Sequence, residues 1–141
     1  MSKNRRKIRK PGQKAGKGKI RDHKAETFSS EQQKPHFSLE YLDGEYCLSR
    51  CDKTQKAAFA DTLHKLSQLT WAQLKRSGRH GSGYEKIERH SLKRPVPGHV
   101  TDDVNIIAFR FCGKAPMVGY RNRRTFYVIW LDINFALYSH G

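Results

Sequence analysis

The sequence predicts a small α+β domain, in which an N-terminal hairpin and two helices pack on a small antiparallel β-sheet. Residues 106–140 contain three runs of β-branched and aromatic residues separated by turn residues, which is typical of consecutive strands. Residues 52–78 contain two helix-start signals. Residues 1–34 have almost no large apolar side chains and cannot offset their ordering entropy. We therefore expect a disordered basic tail over residues 1–34 and one folded domain over residues 35–141.

The predicted hairpin begins the domain. Residues 37–42 alternate apolar and polar side chains, which is the period of a half-buried strand. Asp43-Gly44 is a strong signal for a two-residue hairpin turn. Residues 45–49 are the predicted partner strand.

Two capping patterns predict the helices. Asp52 precedes Gln55 by three residues and Thr70 precedes Gln73 by three, so each pair forms a capping box. The first helix is expected to span about four turns and the second about two, at ~3.6 residues per turn. The apolar stripe of the first helix consists of Phe59, Leu63 and Leu66.

The segment between the helices and the last strands is less regular. Residues 79–83 are basic and rich in glycine, and residues 84–87 predict a short strand. Residues 88–103 are expected to form an irregular connection, because Pro95 and Pro97 exclude a regular helix there.

The main strands are predicted at residues 106–112, 117–121 and 125–131, with a possible fourth at 135–140. Alternation is expected to place Arg110 and Arg121 on one side of the sheet, opposite Phe109 and Phe111. The helices then cover the phenylalanine side and leave the arginine side open to an anion.

The net charge indicates a polyanionic partner. The chain of 141 residues carries 28 Lys and Arg against 13 Asp and Glu, a formal charge of +15. Residues 1–21 account for +10 of it and contain no acid. Nucleic acid, a ribosome or an acidic protein would suit such a charge. The tail is either a solubilising extension or an arm that docks on RNA through Arg5, Arg6, Lys7, Arg9 and Lys10.

Other site chemistries find less support in the sequence. Cys47, Cys51 and Cys112 lack the spacing of paired zinc ligands, so we predict no metal site. The sequence contains no nucleotide-binding fingerprint, so it predicts no cofactor. No run of 18 apolar residues predicts a membrane span, and the basic N-terminus lacks the apolar stretch of a signal peptide. We therefore expect a cytoplasmic protein.

The candidate catalytic groups are basic and aromatic residues, without paired carboxylates for metal. RNA cleavage requires a base for the 2′-hydroxyl, cations at the phosphate and an acid for the 5′-oxygen. Candidates for these roles are Arg110, Arg121, Tyr138, His140, Lys86 and His80. Further candidates for nucleic-acid binding are Arg79, Arg123, Arg124 and Lys114. The competing interpretation is that these side chains are solvated or paired.

The segment Met117-Val-Gly-Tyr-Arg-Asn-Arg-Arg-Thr-Phe-Tyr-Val-Ile-Trp130 resembles a strand–turn–strand unit of the RelE/ParE-type bacterial toxins. The resemblance covers about residues 52–140 and implies a RelE-like fold. It implies a ribosome-dependent endoribonuclease that cleaves mRNA and is inhibited by a cognate antitoxin. By position, Arg110 and Arg121 would bind phosphate, Lys86 or His80 would be the preceding basic residue, and Tyr138 or His140 would transfer a proton.

Two alternatives stay open from the sequence. One is an RNA- or ribosome-binding protein without catalysis, in which the tail and a basic sheet face hold phosphate. The other is the ParE-like branch of the resemblance, whose members act on DNA gyrase.

Overall fold

A computed structural model describes residues 29–78 and 81–139 of the chain. Within them, residues from Glu31 onward belong to one compact α+β unit with two helices and a mixed sheet of five strands. The expectation of a disordered tail over residues 1–34 falls mostly on residues 1–28, which lie outside the described residues.

The elements follow in chain order. Strand β1 (His36–Ser38) comes first, then helices α1 (Lys53–Leu66) and α2 (Trp71–Ser77). Strand β2 (Tyr84–Ile87) is separated from β3 (Ile106–Cys112) by a long irregular connection, and β4 (Ala115–Asn122) and β5 (Thr125–Leu131) complete the sheet. The strand order is β1-β5-β4-β3-β2. Strands β2 to β5 pair antiparallel, as predicted, whereas β1 pairs with β5 in parallel.

Both predicted capping boxes are confirmed. The Asp52 carboxylate accepts a hydrogen bond from the Gln55 backbone at 2.8 Å, and the Gln55 side chain accepts one from the Asp52 backbone at 2.8 Å. Thr70 and Gln73 make the equivalent pair of bonds at the start of α2. These local interactions satisfy orphan N–H groups at each helix start.

The predicted N-terminal hairpin is wrong. Only residues 36–38 form a strand, and residues 45–49 run through turns into a 3-10 helix at Leu48–Arg50. The reason lies in Asp43, whose carboxylate binds the Arg94 guanidinium at 2.8 Å and the Trp130 indole N–H at 3.2 Å. Its backbone N–H donates to the Ile129 carbonyl. These long-range contacts hold residue 43 against β5, so it does not close a hairpin.

One side of the sheet, the helix face, packs against α1 and α2. Its core side chains from the sheet are Ile107, Phe109, Phe111, Met117, Phe126 and Val128. Phe59 and Leu66 from α1 meet them, together with Trp71 and Leu74 from α2. The predicted stripe of α1 therefore faces the sheet as expected.

The opposite side, the loop face, carries Ile106, Ala108, Val118, Tyr120, Ile129 and Trp130. We expected it to be open, and this is wrong for most of its area. Val100 from the connection and Leu137 and Tyr138 from the C-terminal segment cover it. Burial on both faces explains why β3 is apolar almost throughout.

The possible fourth strand at residues 135–140 is also wrong, because residues 135–139 form bends rather than a strand. The carboxylate of Asp132, which is 0% exposed, accepts hydrogen bonds from the backbone N–H groups of Ala136 at 2.8 Å and Leu137 at 3.1 Å. It turns the chain back over the loop face and brings Tyr138 to the sheet.

Candidate anion-binding cleft

A cleft of about 730 Å³ opens on the loop face at the β2–β3 side of the sheet. Five parts of the chain form it: strand β2, strand β3, the 3-10 helix Arg89–Ser91, the β3–β4 turn and the C-terminal segment. Its polar lining consists of Glu85, Lys86, Glu88, His90, Ser91, Arg110, Lys114, Tyr138 and Ser139. The cleft thus combines four basic side chains, two carboxylates and three hydroxyls.

Arg110 is the strand arginine of this cleft. Its side chain leaves β3 on the loop face, on the same side as Ala108 and opposite to Phe109 and Phe111, as predicted. It is half-buried, and among the described residues it makes no hydrogen bond or ion pair. A partly desolvated guanidinium without an acidic partner favours an anion at its five donors.

The remaining polar groups differ in accessibility. His90 and Lys114 are exposed, and Lys114 extends from the tight turn in which Gly113 has φ +60°. Tyr138 is 6% exposed, so its ring forms part of the wall. The Ser91 hydroxyl donates to the Glu88 carbonyl at 2.7 Å and fixes the 3-10 helix. Basic side chains at the rim and a half-buried arginine inside suit a ligand whose anionic group enters the cleft.

The expected convergence of Arg110 and Arg121 is wrong, because Arg121 projects from the helix face. Its guanidinium binds the Glu31 carboxylate at 2.7 Å and lies over the Trp71 ring, 4.3 Å from the centroid. Its Nε donates to the Arg123 carbonyl at 2.6 Å. Arg121 is therefore fully engaged on the far side of the sheet from the cleft.

A β-bulge explains why the two arginines diverge. The β3–β4 register shifts by one residue between Arg110 and Cys112, so that Arg110 pairs with Pro116. Without this shift, Arg110 would pair with Met117 and would share a face with Arg121. A register shift of one residue reverses the side to which the partner strand's side chains project.

Arg124 and Arg123 lie at the β4–β5 turn, away from the cleft. The Arg124 guanidinium donates twice to the Lys34 carbonyl, at 2.9 and 3.0 Å, and its own carbonyl accepts from the Trp71 indole. Arg124 thus joins the start of the compact unit to α2. Arg123 is exposed with φ 58°, in a position that shapes the turn.

Other predicted site residues are divided between the cleft and the undescribed parts of the chain. Lys86 is exposed on β2 and lines the cleft rim. Arg79, His80, His140 and the five basic tail residues Arg5, Arg6, Lys7, Arg9 and Lys10 lie outside the described residues.

Sequence reasoning missed the contribution of the connection after β2. Glu88, His90 and Ser91 reach the cleft because the 3-10 helix Arg89–Ser91 turns the chain beside β3. The Arg89 guanidinium stabilises this arrangement by donating to the carbonyls of Val100 and Val104. The sequence of residues 88–103 has no periodicity that would predict a place in the cleft. The one available indication is a histidine, His90, in the segment that leads to the arginine-bearing strand β3.

The cysteines do not form a site in the described part of the chain. Cys51 belongs to the core of the helix face, where burial raises the pKa of its thiol, and Cys47 and Cys112 are half-buried. Residues 29–78 and 81–139 contain no group of three or more His, Cys, Asp or Glu side chains able to hold a metal ion. No helix among them is long and apolar enough to cross a membrane.

Comparison of the chain with protein-family models, with curated proteins and with solved structures gave no match in any of the three searches.

Proposed function

We propose that the protein acts on RNA as the toxin of a toxin–antitoxin module, cleaving mRNA in the cleft around Arg110 without a metal ion. The observation that carries the proposal is the half-buried Arg110, unpaired among the described residues, in a cleft that also holds His90 and Tyr138. The excess charge of +15 supports a polyanionic partner. The resemblance of the β4–β5 segment to RelE/ParE-type toxins supports mRNA on the ribosome as the substrate and an antitoxin as the inhibitor.

The cleft contains a group for each part of the reaction. Arg110 and Lys114 would neutralise the phosphate as the 2′-oxygen attacks it. His90, or a carboxylate of Glu85 or Glu88, would take the 2′-hydroxyl proton. The Tyr138 hydroxyl, or His90 where a carboxylate acts as the base, would give a proton to the leaving 5′-oxygen. The products are a 2′,3′-cyclic phosphate and a free 5′-hydroxyl, so protons and electrons balance without a redox partner.

A second candidate is RNA or ribosome binding without catalysis. The position of Arg121 favours it, because the cleft then has one strand arginine and two neighbouring carboxylates rather than a pair of arginines. Such a site holds phosphate but provides less stabilisation to a pentacoordinate transition state.

Induced expression separates the two candidates. The proposal predicts growth arrest by the wild type, with new 5′ ends in translated mRNA detected by primer extension. Arg110→Ala should relieve the arrest at equal protein level. Lys75→Ala is the matched control, because it removes one positive charge from an exposed position on α2, on the other face of the sheet.

Purified components test the chemistry directly. Cleavage of mRNA on translating ribosomes should continue after the purified protein has been treated with EDTA and desalted, and it should depend on Arg110. If the mRNA stays intact while the protein still binds RNA, catalysis is excluded and the non-catalytic candidate is supported. DNA damage without mRNA cleavage would instead indicate a gyrase poison.

A further inference from the structure

Four aromatic side chains from separate parts of the chain meet at the other end of the loop face. We call them the aromatic cluster: Tyr41, His99, Tyr120 and Tyr127. Tyr120 and Tyr127 stack with centroids 4.9 Å apart and an interplanar angle of 11°. Tyr41 contacts His99 at 4.1 Å and Tyr127 at 5.8 Å between centroids. The cluster is a continuous set of rings rather than isolated aromatics.

The cluster is anchored on the sheet and accessible at its outer side. Tyr120 is 7% exposed, and its hydroxyl lies 2.8 Å from the His99 Nε2 atom. Tyr127 is half-buried beside it. Tyr41 is 37% exposed and His99 is also exposed. Two fixed inner rings thus support two outer rings that solvent can reach.

The cluster is separate from the cleft but lies along the same strand. Tyr120 pairs with Ile106 at one end of the β3–β4 ladder, whereas Pro116 pairs with Arg110 towards the other. Four residues of β4 span roughly 13 Å, at about 3.3 Å per residue. A single strand covers that distance with about four stacked nucleotides, at ~3.4 Å each.

The charge of the chain decides between two kinds of ligand. Clustered aromatic rings bind either quaternary ammonium groups or the flat faces of nucleobases. A net charge of +15 attracts a polyanion to the protein as a whole, whereas the charged group that acts on Tyr41 and Tyr120 is the Glu40 carboxylate, so the rings suit the uncharged base rather than the phosphate. A nucleobase attached to a phosphate backbone is therefore the ligand that satisfies both features.

We infer that the exposed rings of Tyr41 and His99 stack an unpaired base of single-stranded RNA whose backbone reaches the cleft at Arg110. This inference rests on the proposed action on RNA and adds the requirement for an unpaired, accessible base. Stacking tolerates any base, because each presents a π-face. The cluster thus contributes affinity for single strands over duplexes rather than sequence specificity.

The test compares two probes of equal charge on the full-length protein. One is a fluorescein-labelled 2′-O-methyl oligouridylate decamer, which binds but cannot undergo attack by its 2′-oxygen. The other is an abasic decamer with the same number of phosphates. The wild type should bind the first about 5- to 150-fold more tightly, as expected for one stacked base at about 1–3 kcal/mol.

Variants locate the effect. Tyr41→Ala should remove most of the preference for the base-containing probe and leave affinity for the abasic probe unchanged, whereas Tyr41→Phe should keep the preference. Leu39→Ala is the matched control, because Leu39 is 40% exposed in the same segment and has no ring. His99→Ala should act in the same direction as Tyr41→Ala.

The outcomes distinguish this inference from the proposed function. If the wild type binds neither probe, both the action on RNA and the stacking site are overturned. If it binds both probes equally, or if Tyr41→Ala and Leu39→Ala behave alike, the stacking site is overturned while RNA binding stands.

Discussion

The helix face and the loop face of the sheet hold their arginines in opposite ways. On the helix face, Arg121 is enclosed by the Trp71 ring and the Glu31 carboxylate. On the loop face, Arg110 lines a cleft and has no partner among the described residues. The two residues are of the same type and lie on adjacent strands, so neither the residue type nor the choice of strand explains why one is paired and the other is not. The local partners do: one arginine contributes to stability and the other is available to a ligand.

The largest effect should come from removing the support beneath Arg121. Trp71 is 0% exposed and contacts both the guanidinium of Arg121 and the ring of Phe109. Trp71→Ala should lower the free energy of unfolding by about 3–5 kcal/mol, because it leaves a large cavity. Urea denaturation measures this, with Trp71→Phe as the milder variant. A loss below about 1 kcal/mol would mean that the helix face is not held in this way.

The next effect tests what covers the loop face. Asp132→Ala leaves the N–H groups of Ala136 and Leu137 without their acceptor, one of them buried. We expect a loss of about 2–3 kcal/mol in urea denaturation. Hydrogen exchange at the Leu137 amide should accelerate with it. The exposed Asn134 of the same loop is the control, and its alanine variant should change stability by less than about 0.5 kcal/mol. Equal effects at the two positions would contradict the role of Asp132.

A smaller effect at neutral pH, with a clear pH dependence, is expected at Asp43. Burial alone raises the pKa of this carboxyl, but hydrogen bonds from the Glu45 backbone and the Arg94 guanidinium outweigh it and hold the pKa below the usual value. A lowered folded-state pKa stabilises above the unfolded value of about 4, and this contribution is lost as pH falls through the folded value.

Asp43→Asn should therefore be less stable than the wild type at pH 7, and the difference should shrink as the pH falls through the folded-state pKa. Urea midpoints between about pH 2 and pH 7 measure this difference. Asp103, whose pKa is lowered first by its hydrogen bond with Thr101, contributes equally to both curves. If the urea midpoints of the two proteins change in parallel with pH, Asp43 is not the group whose titration changes the stability.

The smallest stability effect belongs to Arg121 itself. Arg121→Ala removes a cation–π contact and an ion pair whose Glu31 side chain is 46% exposed. We expect a loss of about 1–2 kcal/mol, mostly from the contact with Trp71. Arg121→Lys should recover only part of it, since an ammonium does not stack as a guanidinium does. An unchanged urea midpoint would show that the helix face does not depend on this side chain.

Features set by neighbouring residues were predictable from the sequence. The capping boxes at Asp52 and Thr70 act within one helical turn, and the turns at residues 113–114 and 123–124 are local as well. Features set by distant partners were not. The parallel pairing of β1 depends on β5, and the position of Asp43 depends on Arg94.

The candidate site was only partly predictable for the same reason. Arg110, Lys114, Lys86 and Tyr138 were identified by residue type, and all four line the cleft. Arg121 was misplaced because the bulge at residues 110–112 shifts the register by one, a change that no residue in the segment signals. His90 was missed because its place depends on how an irregular connection folds back.

The contrast between an available Arg110 and a paired Arg121 is tested most directly by the salt dependence of RNA binding by Arg110→Ala and Arg121→Ala. Each phosphate contact contributes about 0.7 to the slope of log Kobs against log salt for a single strand. With the 2′-O-methyl decamer, Arg110→Ala should lower the slope by about 0.7 at unchanged stability, whereas Arg121→Ala should keep the wild-type slope and lose stability. A reduced slope for Arg121→Ala together with a wild-type slope for Arg110→Ala would contradict the assignment of the cleft.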